Sequence, residues 1–453
     1  MILLLGMTGA AIIWSMSVAY QRTRDPLHPL VYIGPMLIYM FVYLPVKEVF
    51  NGGFDRWFPD AGLLLSIQVC FTLGIVLFCV GVLHGTGPVK AGAQRVVFRA
   101  PEVVCERLYQ TGCILGMLAV VAYLYAIMRS GGFLKVYGGA KGHYSAGTGY
   151  INEMVNFAIP AVALVLLSWQ GKVKNKSRIL LAIFFSSPLL VHGLLGARRG
   201  PTFIILATIF VSWFIASGKK ISVAKVVASF GVIGVLILFL FANRGNIHLG
   251  SDVNIEWTLT RDYVTDDVPD DAVFMYAVPA MAQATGTHYW GIRYAATYLI
   301  RPIPRQIWPN KYHDLGLDKL FYQDDVAGIP DSEWIAILGW RPLRGSAGGF
   351  ICDFFLEFSW GALLFCYLLG RFYGELWRRA ATLGGLWTLL YIMAAGLSVY
   401  IPTQSVSAVF HRFLFMAIPT ILLWKMISPS GKLSVPMQAK RKSSPEAFPP
   451  SRS

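Results

Sequence analysis

The sequence has few charged residues, and its cysteines form no metal-binding pattern. Asp, Glu, Lys and Arg make up 14% of the 453 residues, whereas soluble globular proteins contain about 25%. This shortage excludes an ordinary soluble enzyme. The six cysteines include no Cys-x-x-Cys pair and no Cys/His cluster, so we expect neither disulfides nor a zinc site. We therefore predict no metal and no cofactor.

Long apolar stretches make up most of the sequence. Hydrophobic residues make up 55% of the chain and the mean hydropathy is +0.55. Stretches of about 17 to 25 apolar residues are long enough to cross ~30 Å of hydrocarbon as helices. They predict an all-α polytopic membrane protein with about eleven transmembrane helices. The predicted spans are residues 1–20, 30–46, 61–83, 108–128, 152–169, 179–195, 201–217, 223–242, 349–370, 383–401 and 409–427.

The placement of the basic residues predicts the orientation. The formal net charge is +15, and most Lys and Arg fall on alternate loops and on the C-terminal tail. The positive-inside rule then places the C-terminus in the cytoplasm and the N-terminus outside. Because topology and attraction to membrane lipids account for the charge, no nucleic acid is needed to explain it. We expect a bacterial cytoplasmic (inner) membrane protein that crosses the membrane many times.

Four regions follow from these spans. Residues 1–242 hold the first eight spans, and residues 349–427 hold the last three. Between them lies the long segment, residues 243–348, which we predict to be ordered and extracytoplasmic, because it is rich in Trp, Tyr and Phe, unlike a disordered chain. Loops of this length usually carry function. Residues 428–453, rich in Ser, Pro and Lys, read as a disordered basic tail.

Within the long segment the sequence predicts two helices. One starts at Asp270 and Asp271, runs through AVFMYAVPAMAQA and is kinked at Pro279. The other covers residues 289–300 and has an aromatic face, which would lie at the membrane interface. The members of that face are Trp290, Tyr294, Thr297 and Tyr298.

One predicted outer loop contains two arginines, although short outer loops of membrane proteins usually contain few. Arg198 and Arg199 lie in the predicted outer hairpin Gly-Ala-Arg-Arg-Gly-Pro. Guanidinium groups can bind phosphate or diphosphate in a bidentate way, and a helix start at Pro201 would add backbone N–H groups. The alternative is that both arginines reach towards lipid headgroups.

The sequence RPIPRQIWPNKY supplies a second pair, Arg301 and Arg305. Its three prolines forbid a regular helix and hold both arginines on a stiff turn, beside Trp308 and Lys311. The alternative here is ion pairing with the many acidic residues of the long segment. Arg244, after the eighth span, and Arg412, entering the eleventh, are further candidates; each alone is more typical of an interface anchor.

Proton transfer and ion pairing have separate candidates. Asp353 and Glu357 are spaced i, i+4 and share one face of the ninth predicted span, where carboxylates are costly and face a polar interior. We expect Glu357 to pair with a basic group or to orient a hydroxyl. His411 and His192, near the outer face, are candidate proton acceptors, although such histidines are more often packing residues.

Three stretches resemble one family. YWGIRYAATYLIRPIPRQIWPNKY resembles the "G-x-x-Tyr … iPR-x-lWP-x-K" segment of Wzy-type polysaccharide polymerases, also described as oligosaccharide repeat unit polymerases. GARRGP resembles their upstream arginine hairpin, and DFFLEFSWGALLFCYLLGRFYGELWRR is similar to the span that follows. The order of elements matches from about residue 129 to residue 379. Before the ninth predicted span the chain departs from the family: it reads RGSAGGFICD in place of the family's Ser/Gly-rich "gE-x-Y" stretch.

The resemblance implies a membrane glycosyltransferase of the GT-C type, active in O-antigen, capsule or exopolysaccharide biosynthesis. Its partners would be undecaprenyl-diphosphate-linked oligosaccharides, with a flippase and a chain-length regulator of the same pathway. The diphosphates would contact Arg198, Arg199, Arg301, Arg305, Arg244 and Arg412. Glu357 or His411 would activate the acceptor hydroxyl. Sugars or lipid would contact Trp290, Tyr294, Trp308 and Lys311.

Other functions stay open. An O-antigen ligase is similar in fold and donor, and it relies on a histidine of its long outer loop, for which His248, His288 and His313 are available. A flippase or transporter usually shows internal repeats and broken spans, and the sequence shows no repeat. A membrane acyltransferase would need a histidine and a nearby acid within a span, and no such pair is found.

Overall fold

The computed structural model describes most of the chain outside the tail. The described residues are 1–88, 96–139, 149–170, 172, 176–196, 198–218, 222–243, 246–249, 271–304, 306–317, 326–342 and 348–427. Within these ranges the chain forms helices and no strand. The predicted all-α class is therefore confirmed. The predicted tail, residues 428–453, lies outside the described residues.

Nine apolar helical stretches of the described chain are long enough to cross a membrane. They are Ile2–Thr23, Pro29–Phe50, Ala61–Thr86, Glu102–Arg129, Tyr150–Trp169, Ser177–Leu195, Gly200–Ser217, Gly349–Leu383 and Val406–Met426. Their number and composition are those of a polytopic membrane protein. The predicted total of eleven spans is not confirmed, because the predicted spans 223–242 and 383–401 coincide with the shorter apolar helices Ala224–Leu240 and Leu386–Tyr400.

One of the nine stretches folds back on itself. Helix Gly349–Phe358 ends at Ser359, which takes a left-handed φ of 53°, and helix Ala362–Leu383 begins three residues later. Side chains of Ile351 and Cys366 both border Gly74. In a continuous helix these two residues would be about 22 Å apart at 1.5 Å per residue. Helix Gly349–Phe358 is therefore a half-helix that runs antiparallel to Ala362–Leu383.

This fold-back changes the prediction for the ninth span. A single straight span over 349–370 would place Glu357 well below the start of that span. In the structure Glu357 lies near the turn of the hairpin, and Ala362–Leu383, with 22 residues, is itself long enough to cross the hydrocarbon. Hydropathy along the sequence misses the reversal, because Ser359, Trp360 and Gly361 interrupt the apolar run only briefly.

Glycines bring the hairpin against helix Ala61–Thr86. A Cβ atom on Gly370 or Gly374 would collide with the carbonyl oxygen of Phe78 or Val82, and one on Gly81 would collide with that of Tyr367. The two helices therefore touch backbone to backbone, as small residues spaced by four allow in membrane proteins.

The described parts of the long segment form short helices that pack against the spans. Helix Asp271–Thr285 contains Pro279, as predicted, and its residues 273–282 are buried on all sides. It packs between helix Ala61–Thr86 and the half-helix. Helix Ile292–Ala295 continues into a π-helical turn, Ala296–Ile300. Further short helices of the described chain are Gly53–Trp57, Phe133–Tyr137, Gly149–Met154, Val155–Phe157, Lys311–Asp314 and Asp331–Leu338.

Candidate functional site

Two groups of charged side chains meet where the long segment joins the spans. We call Arg293, Tyr294, Asp353 and Glu357 the carboxylate cluster. We call Arg198, Arg301, Arg412, Tyr400, His411 and Glu153 the arginine cluster. Both groups border the start of helix Val406–Ile427, and helix Ile292–Ala295 with its π-helical turn links them.

The carboxylate cluster is built on the half-helix. Asp353 is 5% exposed and Glu357 is fully buried, and their i, i+4 spacing places both on one face, as the sequence predicts. Arg293 lies between them, with Nη2 2.9 Å from Asp353 Oδ1 and Nε 3.3 Å from Glu357 Oε1. Tyr294 donates its hydroxyl to Asp353 Oδ2 at 2.8 Å. A partly buried arginine thus pairs with two buried carboxylates.

Backbone groups complete this cluster. The N–H of Val406 donates to Asp353 Oδ2 at 2.8 Å, and that of Gly291 donates to Glu357 Oε2 at 2.9 Å. The end of the half-helix leaves carbonyls without helical partners. The N–H of Trp290 donates to the Glu357 carbonyl at 2.7 Å, and that of Tyr289 to the Leu356 carbonyl at 3.2 Å. Residues 288–291 therefore cap the half-helix.

Electrostatics keep Arg293 charged and Tyr294 protonated. Burial disfavours the charge of Arg293, but Asp353 and Glu357 outweigh it and raise the pKa of the guanidinium. Burial, followed by the charge of Asp353, holds the pKa of the Tyr294 hydroxyl well above its ordinary value. The phenol therefore stays protonated and remains a donor. These contacts describe a structural ion-pair network rather than an open site.

The arginine cluster combines residues from four parts of the chain. The charges of Arg198, Arg412 and Glu153 act on Tyr400, and those of Arg301, Arg412 and Glu153 act on His411. The guanidinium of Arg412 lies 5.1 Å from the centre of the Tyr400 ring. Arg198 and Arg412 thus act on the tyrosine and Arg301 and Arg412 on the histidine, with a single carboxylate among the residues that define the cluster.

Local packing explains this convergence. Gly200, in the first turn of helix Arg199–Ser217, touches Tyr400 so closely that a Cβ atom would overlap its hydroxyl. Arg198 precedes this helix, and its N–H donates to the Gly193 carbonyl at 2.8 Å. Gly200, which follows the arginine pair, therefore allows Tyr400 to approach the start of helix Arg199–Ser217, together with Arg412, which lies over the Tyr400 ring.

Arg301 is held by its backbone and by one weak ion pair. Its Nη2 lies 3.7 Å from Glu153 Oε1, and the side chain is 46% exposed. Tyr150 donates its hydroxyl to the Arg301 carbonyl at 2.6 Å. The guanidinium remains open to a ligand on its exposed side.

Arg412 is the member with unused hydrogen-bonding capacity. Its Nη1 atom is buried and finds no hydrogen-bond acceptor within the described chain. A buried donor without an acceptor is costly, so an anionic group bound at this position would be stabilised. The arrangement can hold a phosphate or diphosphate, with His411 beside it as a proton acceptor.

Other predicted site residues take different positions. Trp290 is exposed at a φ of 51°, and Trp308 donates its Nε1–H to Asp314 Oδ2 at 2.6 Å. Arg244 and Arg305 lie outside the described residues, as does the side chain of Arg199. His192 contacts the Tyr137 hydroxyl at 3.2 Å.

Lys311 is a structural anchor for the proline turn. The side chain is 3% exposed, and its ammonium donates to the carbonyls of Ile300, Arg301 and Ile303. The prolines and this lysine together fix the backbone from which Arg301 projects. A sugar or lipid contact by Lys311 would require these bonds to open.

Replacing Lys311 with methionine is expected to lower the free energy of unfolding by about 2–3 kcal/mol, because buried carbonyls lose a charged donor. Thermal unfolding of the purified protein in lipid nanodiscs measures the loss. Lys135→Met, at an exposed lysine, is the matched control and should change stability by less than about 0.5 kcal/mol. Equal melting curves for the two variants would contradict the anchoring role.

Sequence reasoning missed three important residues. Arg293 stands among aromatic residues in the helix predicted over residues 289–300, and its charge within that helix is the signal that could have found it. Glu153 and Tyr400 carry no local signal, because their role depends on which helices become neighbours. The described chain contains no group of three or more His, Cys, Asp or Glu that could hold a metal ion.

Comparisons with known proteins add no relative. No family model, no curated protein and no solved structure matches the chain. The residues of this chain and their geometry are therefore the only guide to its function.

Proposed function

We propose that this protein is a polysaccharide polymerase, a GT-C-type glycosyltransferase that joins undecaprenyl-diphosphate-linked oligosaccharide repeat units. It would act at the outer face of the bacterial cytoplasmic membrane, with its N-terminus outside and its C-terminus in the cytoplasm. A flippase and a chain-length regulator of the same pathway are the proposed partners. The observation that carries the proposal is the arginine cluster, in which Arg412 lies over the Tyr400 ring with a buried Nη1 that finds no acceptor within the described chain, while Arg198 acts on Tyr400 and Arg301 on His411.

The proposed chemistry needs positive charge more than it needs a metal. When the anomeric carbon leaves its diphosphate, negative charge develops on the leaving oxygen, and preorganised arginines stabilise this charge. The acceptor hydroxyl oxygen forms the new glycosidic bond, and its proton passes to a base. His411 lies beside the arginines, whereas Glu357 already holds Arg293 and the Gly291 N–H. His411 is therefore the better candidate for the base.

Deletion of the gene followed by complementation tests the proposal. The deletion strain should accumulate single repeat units on undecaprenyl diphosphate or on the surface acceptor, with no polymer, as seen by gel and mass spectrometry. Arg412→Ala and Arg301→Ala should reduce polymer formation by about 10²-fold or more at equal membrane levels. Arg341→Ala, which removes a solvent-exposed ion pair to Asp331, is the control and should restore normal polymer.

Two other outcomes would replace the proposal. Full-length polymer left on undecaprenyl diphosphate would indicate a ligase. Of the histidines on which that function depends, His288 lies 3.1 Å from the Phe355 carbonyl and His313 is exposed beside Asp314. Repeat units trapped at the cytoplasmic face would instead indicate a flippase.

A transporter is the second candidate, because the half-helix is a discontinuous element of the kind that transporters use at substrate sites. Proteoliposomes loaded with lipid-linked oligosaccharide distinguish the two. A flippase would expose the inner pool to a membrane-impermeant glycosidase within minutes, whereas a polymerase would leave that pool protected.

A further inference from the structure

Helix Ile292–Ala295 and its π-helical turn expose an apolar stripe. Ile292, Ala295 and Leu299 are spaced i, i+3, i+7 and lie on the exposed side. Ile292 is 51% exposed and Leu299 is 68% exposed. This differs from the predicted aromatic face, because the hydroxyls of Tyr294 and Tyr298 are turned inwards to Asp353 and to the Ser407 carbonyl.

The opposite face of the same helix is polar. Arg293 pairs there with the two carboxylates, and Thr297 is buried with its hydroxyl donating to the Arg293 carbonyl at 2.8 Å. A helix on a water-facing surface shows the reverse pattern, with apolar residues inside and polar residues outside. The inverted pattern indicates that the exposed face does not meet water.

Apolar exposure continues on both sides of this helix. Trp290, just before it, is 68% exposed, and Ile307, after the proline turn, is 75% exposed. Contiguous apolar surface of this kind marks contact with a membrane or with another protein. Trp is a side chain that favours the boundary between lipid and water.

The anchoring of the helix decides between these two partners. Arg293 ties it to the half-helix, which packs among the spans, and Tyr298 ties it to the first turn of helix Val406–Ile427 at 3.2 Å. That helix is one of the nine apolar stretches able to cross the membrane. The stripe is thus fixed near the end of a membrane-crossing helix. At this position the surrounding medium is lipid.

We propose that helix Ile292–Ala295 with its π-helical turn lies in the bilayer interface and presents Ile292, Ala295 and Leu299 to the acyl chains. Arg301 directly follows this helix, so its guanidinium lies at the depth of the lipid headgroups. A diphosphate carried on a lipid could then reach the arginine cluster sideways, without leaving the membrane. The depth of the helix does not depend on the reaction, whereas the sideways route for a diphosphate rests on the proposed function.

Spin labels attached at single cysteines test the proposal. Ile292→Cys and Leu299→Cys are made in a Cys113→Ser background, since Cys113 is the native cysteine that is not buried. The labelled protein is reconstituted into vesicles of phosphatidylethanolamine and phosphatidylglycerol. Collision rates with oxygen, which concentrates in lipid, and with a water-soluble nickel chelate are then compared.

Two labelled controls define the scale. Leu364→Cys, at an exposed residue of helix Ala362–Leu383, reports lipid, and Ser332→Cys, on the short helix Asp331–Leu338 of the long segment, reports water. Labels at positions 292 and 299 should collide more often with oxygen than with nickel, as at position 364. A nickel-dominated ratio like that at position 332 would overturn the proposal. So would an immobile label shielded from both reagents, which would indicate a protein partner.

Discussion

Arg293→Met is expected to lower the free energy of unfolding by about 3–5 kcal/mol, because it leaves the buried carboxylates of Asp353 and Glu357 without their counter-charge. The two acids would then either carry charge in a low-dielectric environment or take up protons and lose their hydrogen-bond acceptor pattern. Either result weakens the attachment of residues 288–294 to the half-helix.

Thermal unfolding in lipid nanodiscs measures this loss, and neutralisation of the acids isolates its cause. Adding Asp353→Asn and Glu357→Gln to Arg293→Met should recover a substantial part of the stability, because no unpaired charge remains. Arg341→Met removes an exposed ion pair and should cost less than about 1 kcal/mol. Failure of the two neutral substitutions to improve stability would show that packing, and not charge, dominates.

Gly370→Ile is expected to separate helix Ala362–Leu383 from helix Ala61–Thr86 and to cost about 3 kcal/mol, at the upper end of the usual range for overpacking. The carbonyl oxygen of Phe78 occupies the place of the new side chain. Backbone cannot move aside as a flexible side chain can, so the helices must shift. The hairpin and the carboxylates on its half-helix would move with them.

Size-exclusion chromatography and thermal unfolding of the purified variant report this effect. Gly6→Ile is the matched control, because Gly6 lies on the apolar helix Ile2–Thr23 and a Cβ atom added there would meet no described atom within 4 Å. It should change stability by less than about 0.5 kcal/mol. Similar behaviour of the two variants would mean that close backbone contact contributes little to the packing of the hairpin.

Composition predicts the helices of this protein better than it predicts their path. Predicted spans such as 61–83 and 152–169 agree closely with Ala61–Thr86 and Tyr150–Trp169, because a bilayer demands long apolar helices. The reversal at Ser359 could not be predicted, since a half-helix and a full span have the same hydropathy. Its evidence is a contact, the shared approach of Ile351 and Cys366 to Gly74.

In the candidate site, too, some features could be predicted from the sequence and others depend on tertiary contacts. The i, i+4 spacing of Asp353 and Glu357 predicts a shared face and a basic partner, and the structure supplies Arg293 as that partner. The proposed gathering of Arg198, Arg301 and Arg412 follows from unusual arginines near the ends of predicted spans. The approach of Arg198 and Arg412 to Tyr400 depends on Gly200, and that contact is a product of tertiary packing alone.

The attachments of Asp353 also set an order for biogenesis. Its carboxylate is bound by Arg293 and Tyr294, which are synthesised earlier, and by the N–H of Val406, which is synthesised later. A nascent chain that ends before Val406 holds this acid with one donor missing. The insertion of the last helix is therefore the step that completes the carboxylate cluster, and the same helix delivers His411 and Arg412 to the arginine cluster. Neither cluster can be complete before helix Val406–Ile427 has been synthesised and inserted.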